Sequence, residues 1–150
     1  MAEAHETPAP DLTDRAVYAS WTRDIVRYAD LDPNGHVNNG AVNQYFEDGR
    51  VHFRKERMPF LGPRLFTGFA VGRFAAVYRA ALTWPATAEI GTVVTRIGTA
   101  SFSLGQGIFE GDRCIATAEV GQVHFDPAPG RSRPLPDPVR AALEAALFRG

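Results

Sequence analysis

The 150 residues carry sixteen Lys and Arg against seventeen Asp and Glu, a formal net charge of -1. This balance argues against the strong uniform basicity of a dedicated nucleic-acid-binding protein, and the length suits one domain with a sizeable core. The single cysteine, Cys114, excludes an internal disulfide and a cysteine-rich zinc site. These features favour a reducing compartment, and we expect a cytoplasmic protein.

Residues 1–14 carry acids and prolines and no apolar run, so they lack the basic start and apolar stretch of a secretory signal. We expect them to form a flexible tail ahead of a single domain over residues 15–150. No segment approaches the roughly 18 uninterrupted apolar residues of a membrane-spanning helix. A soluble protein with no membrane partner is therefore expected.

The first predicted element is a strand over residues 16–28, followed by a loop. Alternate positions that share one side of this strand are Val17, Ala19, Trp21 and Ile25, interrupted by Arg23 and Arg27. The next eleven residues, ADLDPNGHVNN, concentrate Asp, Asn, Pro and Gly, which favour turns.

A long helix is predicted from Gly40 to about Arg57, because apolar residues recur there at steps of three and four. The stripe comprises Val42, Tyr45, Phe46, Gly49 and Phe53. Asn38 or Asn39 would cap its start, and basic residues in the last turn suit the negative end of the helix dipole.

The rest of the chain is rich in strand-forming residues, with predicted strands at 66–83, 87–97, 100–110 and 113–125. Gly98-Thr99 and Gly111-Asp112 lie where hairpins would join the last three into an antiparallel meander. In the strand at 66–83, the face expected to meet the helix carries Ala70, Phe74, Ala76, Tyr78 and Leu82. A short helix around Val139, Ala142, Leu143 and Leu147 would end the chain.

The loop before the long helix holds the most chemically capable residues. Asp30, Asp32, Asn34 and His36 place carboxylate, amide and imidazole groups beside the free N–H groups of a helix start. Such a start can polarise an acyl carbonyl, and Asp32 could activate water as a general base or attack directly.

This loop and the segments around it resemble the hotdog-fold thioesterase superfamily, specifically its 4-hydroxybenzoyl-CoA thioesterase-like group. The resemblance covers nearly all of residues 16–148. The segments that carry it are Arg27–Asp30, Asp32-Pro33-x-Gly35, Tyr45-Phe46-Glu47 with Arg50, Gly98–Phe102, Val123–Asp126 and Leu135-Pro136. It implies an α+β hotdog fold, in which an antiparallel five-stranded sheet wraps around one long central helix.

By this resemblance, Asp32 is the catalytic carboxylate and the backbone N–H of Asn39 is the oxyanion donor. The loop is also similar to the Asp-x-Asn-x-His segment of plant acyl-ACP thioesterases, which would add Asn34 and His36 to the catalytic set. The two analogies agree on Asp32 and differ on His36. Simple structural roles stand beside these: Asn34 closing its own turn, and His36 holding the loop through a hydrogen bond.

Several other polar residues suit structural roles. Asp30 is expected to pair with Arg27 or cap the loop, and Glu47 is expected to form an ion pair with Arg50. His52 is predicted to be a packed core or interface residue, and Cys114 a buried small residue. Gly105 and Gly107 indicate a bulge or a close approach of another group to their strand.

The resemblance implies hydrolysis of acyl thioesters of coenzyme A or of acyl carrier protein, without a cofactor or metal. Alternatives are a hotdog hydratase or dehydratase and a non-catalytic acyl-thioester binding module. The uncovered edges of a single sheet also predict a homodimer or homotetramer. In the family that the chain resembles, the acyl pocket lies where two protomers meet.

Overall fold

The computed structural model describes residues 8–126, 128 and 130–150. Its six strands are Ser20–Ile25 (β1), Phe69–Tyr78 (β2), Thr87–Ile97 (β3), Ser101–Glu110 (β4), Arg113–Asp126 (β5) and Arg131–Ser132 (β6). The two α-helices are Asn39–Arg57 (α1) and Asp137–Ala145 (α2). The pairings between these strands are antiparallel, in the order β1-β3-β4-β5-β2, and β6 adds to β5. The predicted sheet around one long helix is thereby confirmed, and β6 is an addition.

Helix α1 begins and ends as the sequence predicts. The Asn38 side chain accepts a hydrogen bond from the Ala41 backbone N–H, and Arg54, Lys55 and Arg57 occupy the last turn. Its apolar stripe packs on the concave face of the sheet, where Phe46 and Phe53 are fully buried. None of the described helices is long and apolar enough to cross a membrane.

The first predicted strand is too long at both ends, because local turns interrupt residues 16–28. Asp14 accepts from the Ala16 N–H and starts a 3-10 turn, and Asp30 accepts from the Arg27 N–H and closes another. Within residues 16–28 the strand itself, β1, is limited to Ser20–Ile25. Its Trp21 and Ile25 side chains lie on the exposed outer side, whereas polar Ser20 and Asp24 alternate toward α1.

The strand predicted over residues 66–83 is also shorter, since 3-10 helix occupies Pro59–Phe66 and residues 79–83 are irregular. A bulge between Val71 and Arg73 shifts its register against β5. Phe69, and not Ala70 as predicted, therefore shares the helix-facing side with Phe74. Tyr78, expected on the same face, remains 46% exposed.

The meander of β3, β4 and β5 matches its predicted bounds and turns closely. On its outer face, Gly105 and Gly107 lie under side chains from the start of the chain. A Cβ atom at Gly105 would meet Leu12, and one at Gly107 would meet Tyr18. The close approach predicted at these glycines is thus made by the protein's own N-terminal segment. Leu12 belongs to the stretch that was expected to be a flexible tail, but it packs against the sheet.

Candidate active site

The loop between β1 and α1 is a small hairpin held by Asp32. The Asp32 backbone N–H donates to the His36 carbonyl at 2.7 Å, and Leu31 and Val37 form a bridge on either side. Its side-chain Oδ1 accepts from the backbone N–H groups of Asn34 at 2.8 Å and His36 at 3.2 Å. Among the described residues none donates to Oδ2, so this oxygen is available to a ligand or water.

A buried network under the loop ties it to α1. Asp30 is 3% exposed and forms an ion pair with Arg27 at 2.9 Å, as predicted, and it accepts a hydrogen bond from the Tyr45 hydroxyl. Burial alone would raise the pKa of Asp30, but hydrogen bonds from Tyr45 and Arg27 outweigh it and lower the pKa below its usual value. The Asn38 side chain donates to the Asp30 carbonyl at 2.9 Å, which fixes the helix start relative to the loop.

The first turn of α1 presents free donors. The Asn38 side chain satisfies the N–H of Ala41, and the Asn38 carbonyl accepts from Val42. The N–H groups of Asn39 and Gly40 have no acceptor within the part of the chain that the structure describes. These two groups point along the positive end of the helix dipole and can bind an oxyanion or a carbonyl oxygen.

A cavity of about 170 Å³ lies against this helix start. Asp32, His36 and Asn39 line its polar side, and Asn34 does not. Its remaining wall consists of Val37, Val42, Tyr78, Ala80, Ala81, Leu82 and Ile115. The structure therefore brings three of the four candidate residues around one space, whereas Asn34 is exposed and contributes its backbone N–H to the turn.

The apolar wall is the part of the site that sequence reasoning missed. Tyr78 ends β2 and donates its hydroxyl to Asn43 Oδ1 at 2.9 Å, joining β2 to α1 beside the cavity. Leu82 is buried, and its carbonyl accepts from the Val37 N–H at 2.8 Å. Tyr78 and Leu82 are predicted from the sequence to lie on the strand face that meets the helix, and that prediction could have identified them as part of this wall.

Three predicted structural roles differ in the structure. Among the described residues, Glu47 forms no ion pair with Arg50; Arg50 Nη1 instead donates to Gln106 Oε1 at 3.1 Å. Gln106 is fully buried and reaches α1 from β4, so it supplies the nearer acceptor. His52 is exposed and not part of the core, and Cys114 is only half-buried.

The profile of the thioesterase-like superfamily matches residues 26–143. A Thermus thermophilus thioesterase complexed with coenzyme A and zinc is similar in structure, with a TM-score of 0.76, 25% identity and coverage of 87% of this chain and 95% of that one. A predicted thioesterase from Bacillus stearothermophilus has a TM-score of 0.76, 24% identity and coverage of 87% and 99%.

A gentisyl-coenzyme A thioesterase shares the fold, with a TM-score of 0.73, 19% identity and coverage of 83% of this chain and 99% of that one. No curated protein matches the sequence. The family profile spans the loop, the helix, the meander and most of α2, including the whole candidate site. The chain belongs to the thioesterase-like superfamily of hotdog-fold enzymes.

Proposed function

We propose that this thioesterase hydrolyses acyl thioesters of coenzyme A at the cavity beside the start of α1. The observation that carries the proposal is that Asp32, whose Oδ2 accepts no hydrogen bond from the described residues, and Asn39, whose backbone N–H is free among them, line the same cavity. The coenzyme A bound to the Thermus thermophilus thioesterase supports the choice of thiol carrier.

In this mechanism the thioester carbonyl oxygen accepts hydrogen bonds at the helix start. Asp32 takes a proton from a water molecule as that water attacks the carbonyl carbon. A carbon–oxygen bond forms, the carbon–sulfur bond breaks, and the departing thiolate is protonated to give coenzyme A and a free carboxylic acid. In the covalent form of the same reaction, Asp32 attacks the carbonyl carbon and the carbon–sulfur bond breaks, which releases the thiolate and leaves a mixed anhydride. Water then hydrolyses the anhydride to the free acid and the Asp32 carboxylate.

The two hydrogen bonds to Asp32 Oδ1 suit either form of the reaction. Because the backbone N–H groups of Asn34 and His36 both donate to Oδ1, they fix the plane of the carboxylate. Oδ2 is thereby held in one orientation, and its own lone pairs stay free. The negative charge that develops on the carbonyl oxygen lies at the positive end of the α1 dipole.

We also propose that the protein acts as a homodimer at least. Strand β2 pairs with β5 on one side, and its other edge has no strand among the described residues. Tyr78, at the end of this edge, lines the cavity, so a second copy there would help enclose it. Light scattering should give at least twice the 16.4 kDa chain mass, and dilution to monomers should lower specific activity.

The proposed activity is tested by thiol release from a panel of acyl-CoAs, with the matching acyl carrier protein thioesters run in parallel. Release of stoichiometric free coenzyme A together with the acid supports the proposal. Faster thiol release from the acyl carrier protein thioesters than from the acyl-CoAs would indicate that acyl carrier protein is the thiol carrier. Loss of an enoyl chromophore without thiol release would indicate a hydratase, and tight binding without turnover would indicate a binding module.

A further inference from the structure

The cavity beside the start of α1 has one open side and one enclosed end. The open side carries the exposed residues His36, Asn39 and Tyr78. The enclosed end carries aliphatic side chains that are at most 7% exposed: Val37, Val42, Leu82 and Ile115. Coenzyme A is far larger than this cavity of about 170 Å³ and must leave by the open side. An acyl group whose carbonyl meets the Asn39 N–H therefore extends toward the enclosed end.

The segment after β2 forms part of this wall and is held from two sides. The backbone N–H groups of Arg79 and Ala80 both donate to the Ile115 carbonyl, at 2.8 and 3.1 Å. Two residues further on, the Leu82 carbonyl accepts from the Val37 N–H at 2.8 Å. Because this backbone is fixed, the size of its side chains determines the room in the cavity. Ala80 is half-buried and lines the cavity with a single methyl group.

The volume of the cavity suits a short acyl chain. At about 30 Å³ for each water-sized group, 170 Å³ holds roughly six non-hydrogen atoms. The thioester carbonyl and the attacking water take about half of this room at the polar side, beside Asp32 and Asn39. Roughly three carbons then fit beyond the carbonyl carbon. An acyl group of the size of butanoyl fills the space.

The charges around the cavity select against an acidic acyl group. Asp32 brings a negative charge to the polar side, and among the described residues no Lys or Arg lines the cavity. Arg79, the chain neighbour of Ala80, donates from Nε to Thr117 Oγ1 at 3.2 Å and is not a lining residue. A carboxylate at the enclosed end would lose its hydration without gaining a cation. The acyl group that fits is therefore uncharged.

We propose that the site selects small, uncharged acyl groups of about four carbons, and that Ala80 limits their length. The inference rests on the proposed thioesterase function and names the substrate class of the same site. Each methylene buried in the cavity adds binding in the transition state, whereas a longer chain exceeds the enclosed space and adds none.

A series of unbranched acyl-CoAs, from acetyl-CoA to palmitoyl-CoA, tests the length and charge limits in the wild-type protein. The value of kcat/KM should rise about fourfold for each methylene up to butanoyl-CoA and should not rise from hexanoyl-CoA to palmitoyl-CoA. Glutaryl-CoA should react at least about 100-fold more slowly than pentanoyl-CoA, which has the same number of carbons.

The outcomes of this series separate the two proposals. A kcat/KM that keeps rising to palmitoyl-CoA, or equal values for glutaryl-CoA and pentanoyl-CoA, would overturn the selection of small, uncharged groups and leave the thioesterase function standing. No thiol release from any member would overturn the thioesterase function, and this inference with it.

Ala80→Leu tests the residue that limits the length. Its three added carbons occupy about 90 Å³, roughly half of the cavity. The ratio of kcat/KM for butanoyl-CoA to that for acetyl-CoA should therefore fall by about tenfold or more. Ala141→Leu, at an exposed position of α2, adds the same side chain outside the cavity and should keep the wild-type ratio.

Thermal unfolding establishes whether Ala80→Leu is folded. Ala80→Val adds one carbon fewer and should shift the substrate ratio in the same direction, so the test stands if the leucine variant does not fold. A folded Ala80 variant that keeps the wild-type ratio would exclude Ala80 as the residue that limits chain length.

Discussion

The backbone N–H of Asn39 can be removed without disturbing the helix that it begins. Asn39 is the first helical residue, a position that favours proline, and Asn38 has the extended conformation that precedes proline well. We expect Asn39→Pro to lower kcat by about 10²–10³, the loss typical of one oxyanion donor. Asn39→Ala, which keeps the N–H, should stay near wild type in the same steady-state assay. Equal activity of the two variants would remove this donor from the mechanism.

His36 lines the cavity, but its imidazole has no hydrogen-bond partner among the described residues. A histidine that acts as a base is normally oriented by a partner on its second ring nitrogen. We therefore expect His36→Ala to lower kcat by less than about tenfold, below the 10²–10⁴ typical of a general base. A loss as large as that of an Asp32 variant would favour the plant-type catalytic set instead.

At the scale of single residues, the sequence predicted which polar groups meet and missed the apolar wall. Asp32, His36 and Asn39 lie within one short segment, so local turn and capping preferences suffice to bring them together. Tyr78 and Leu82 reach the cavity from a distant strand and the irregular segment after it. The Glu47–Arg50 prediction was wrong because helical spacing permits that pair, yet Gln106 reaches Arg50 from β4.

The network that attaches the loop to α1 should be measurable as stability. Tyr45→Phe leaves the buried Asp30 carboxylate short of a charged hydrogen bond, which is worth about 1.5–3 kcal/mol of unfolding free energy. The lowered pKa of Asp30 means that its contribution is present above pH 3.8 and is lost as the pH falls below. Urea unfolding should show the full deficit at pH 7 and a smaller one near pH 3.

Tyr28→Phe is the matched control, since Tyr28 is 72% exposed and packs only its ring, against Trp84. It should unfold like the wild type at both pH values. If Tyr28→Phe and Tyr45→Phe were equally stable at pH 7, the hydroxyl of Tyr45 would not stabilise the loop.

The Asp24 carboxyl, between β1 and α1, should change the stability of the protein with pH in the opposite direction to Asp30. Burial raises the pKa of Asp24 to about 7, and the neighbouring Asp48 carboxyl adds to this effect. Because the folded state holds this proton more tightly than the unfolded state, stability falls as the pH rises from 3.8 toward 7.

Asp24→Asn removes that penalty and should stabilise the protein at pH 8 by roughly 1 kcal/mol, a value discounted for solvent screening of a half-buried group. The advantage should disappear near pH 4, where wild-type Asp24 is protonated in the folded state. Urea unfolding at the two pH values measures the difference, with Asp112→Asn at an exposed turn as the control. A stabilisation that is equal at both pH values would contradict this account.

At the scale of elements, α1 and the meander were predictable because their signals are local. The apolar spacing, the Asn38 cap and the basic last turn all indicate the same helix, α1. Gly111, with φ of 59°, marks one of the hairpins. The ends of β1 and β2 were not predictable from composition. The ends of β1 depend on side-chain capping by Asp14 and Asp30, and β2 lies between the 3-10 helix Pro59–Phe66 and the irregular residues 79–83. None of these features changes the strand-forming character of the residues.

For the whole molecule, the order of elements was enough to predict one curved sheet around one helix. What it did not predict is how the outer face is covered. Tyr18 and Leu12 pack over small residues of β4, and Tyr18 meets the ring of Phe109 edge-on at 5.9 Å. Such coverage depends on pairing between segments distant in sequence, for which glycines in a strand were the sole indication.

Turnover by Asp32→Asn tests the central claim most directly. Asn keeps the Oδ1 acceptor that holds the Asn34 and His36 N–H groups, so the loop should remain folded while the base or nucleophile is lost. With Asp112→Asn as a control, we expect thiol release to fall about 10²–10⁴-fold with unchanged thermal unfolding. A folded Asp32→Asn protein that keeps more than about half of wild-type turnover would contradict the catalytic role of Asp32.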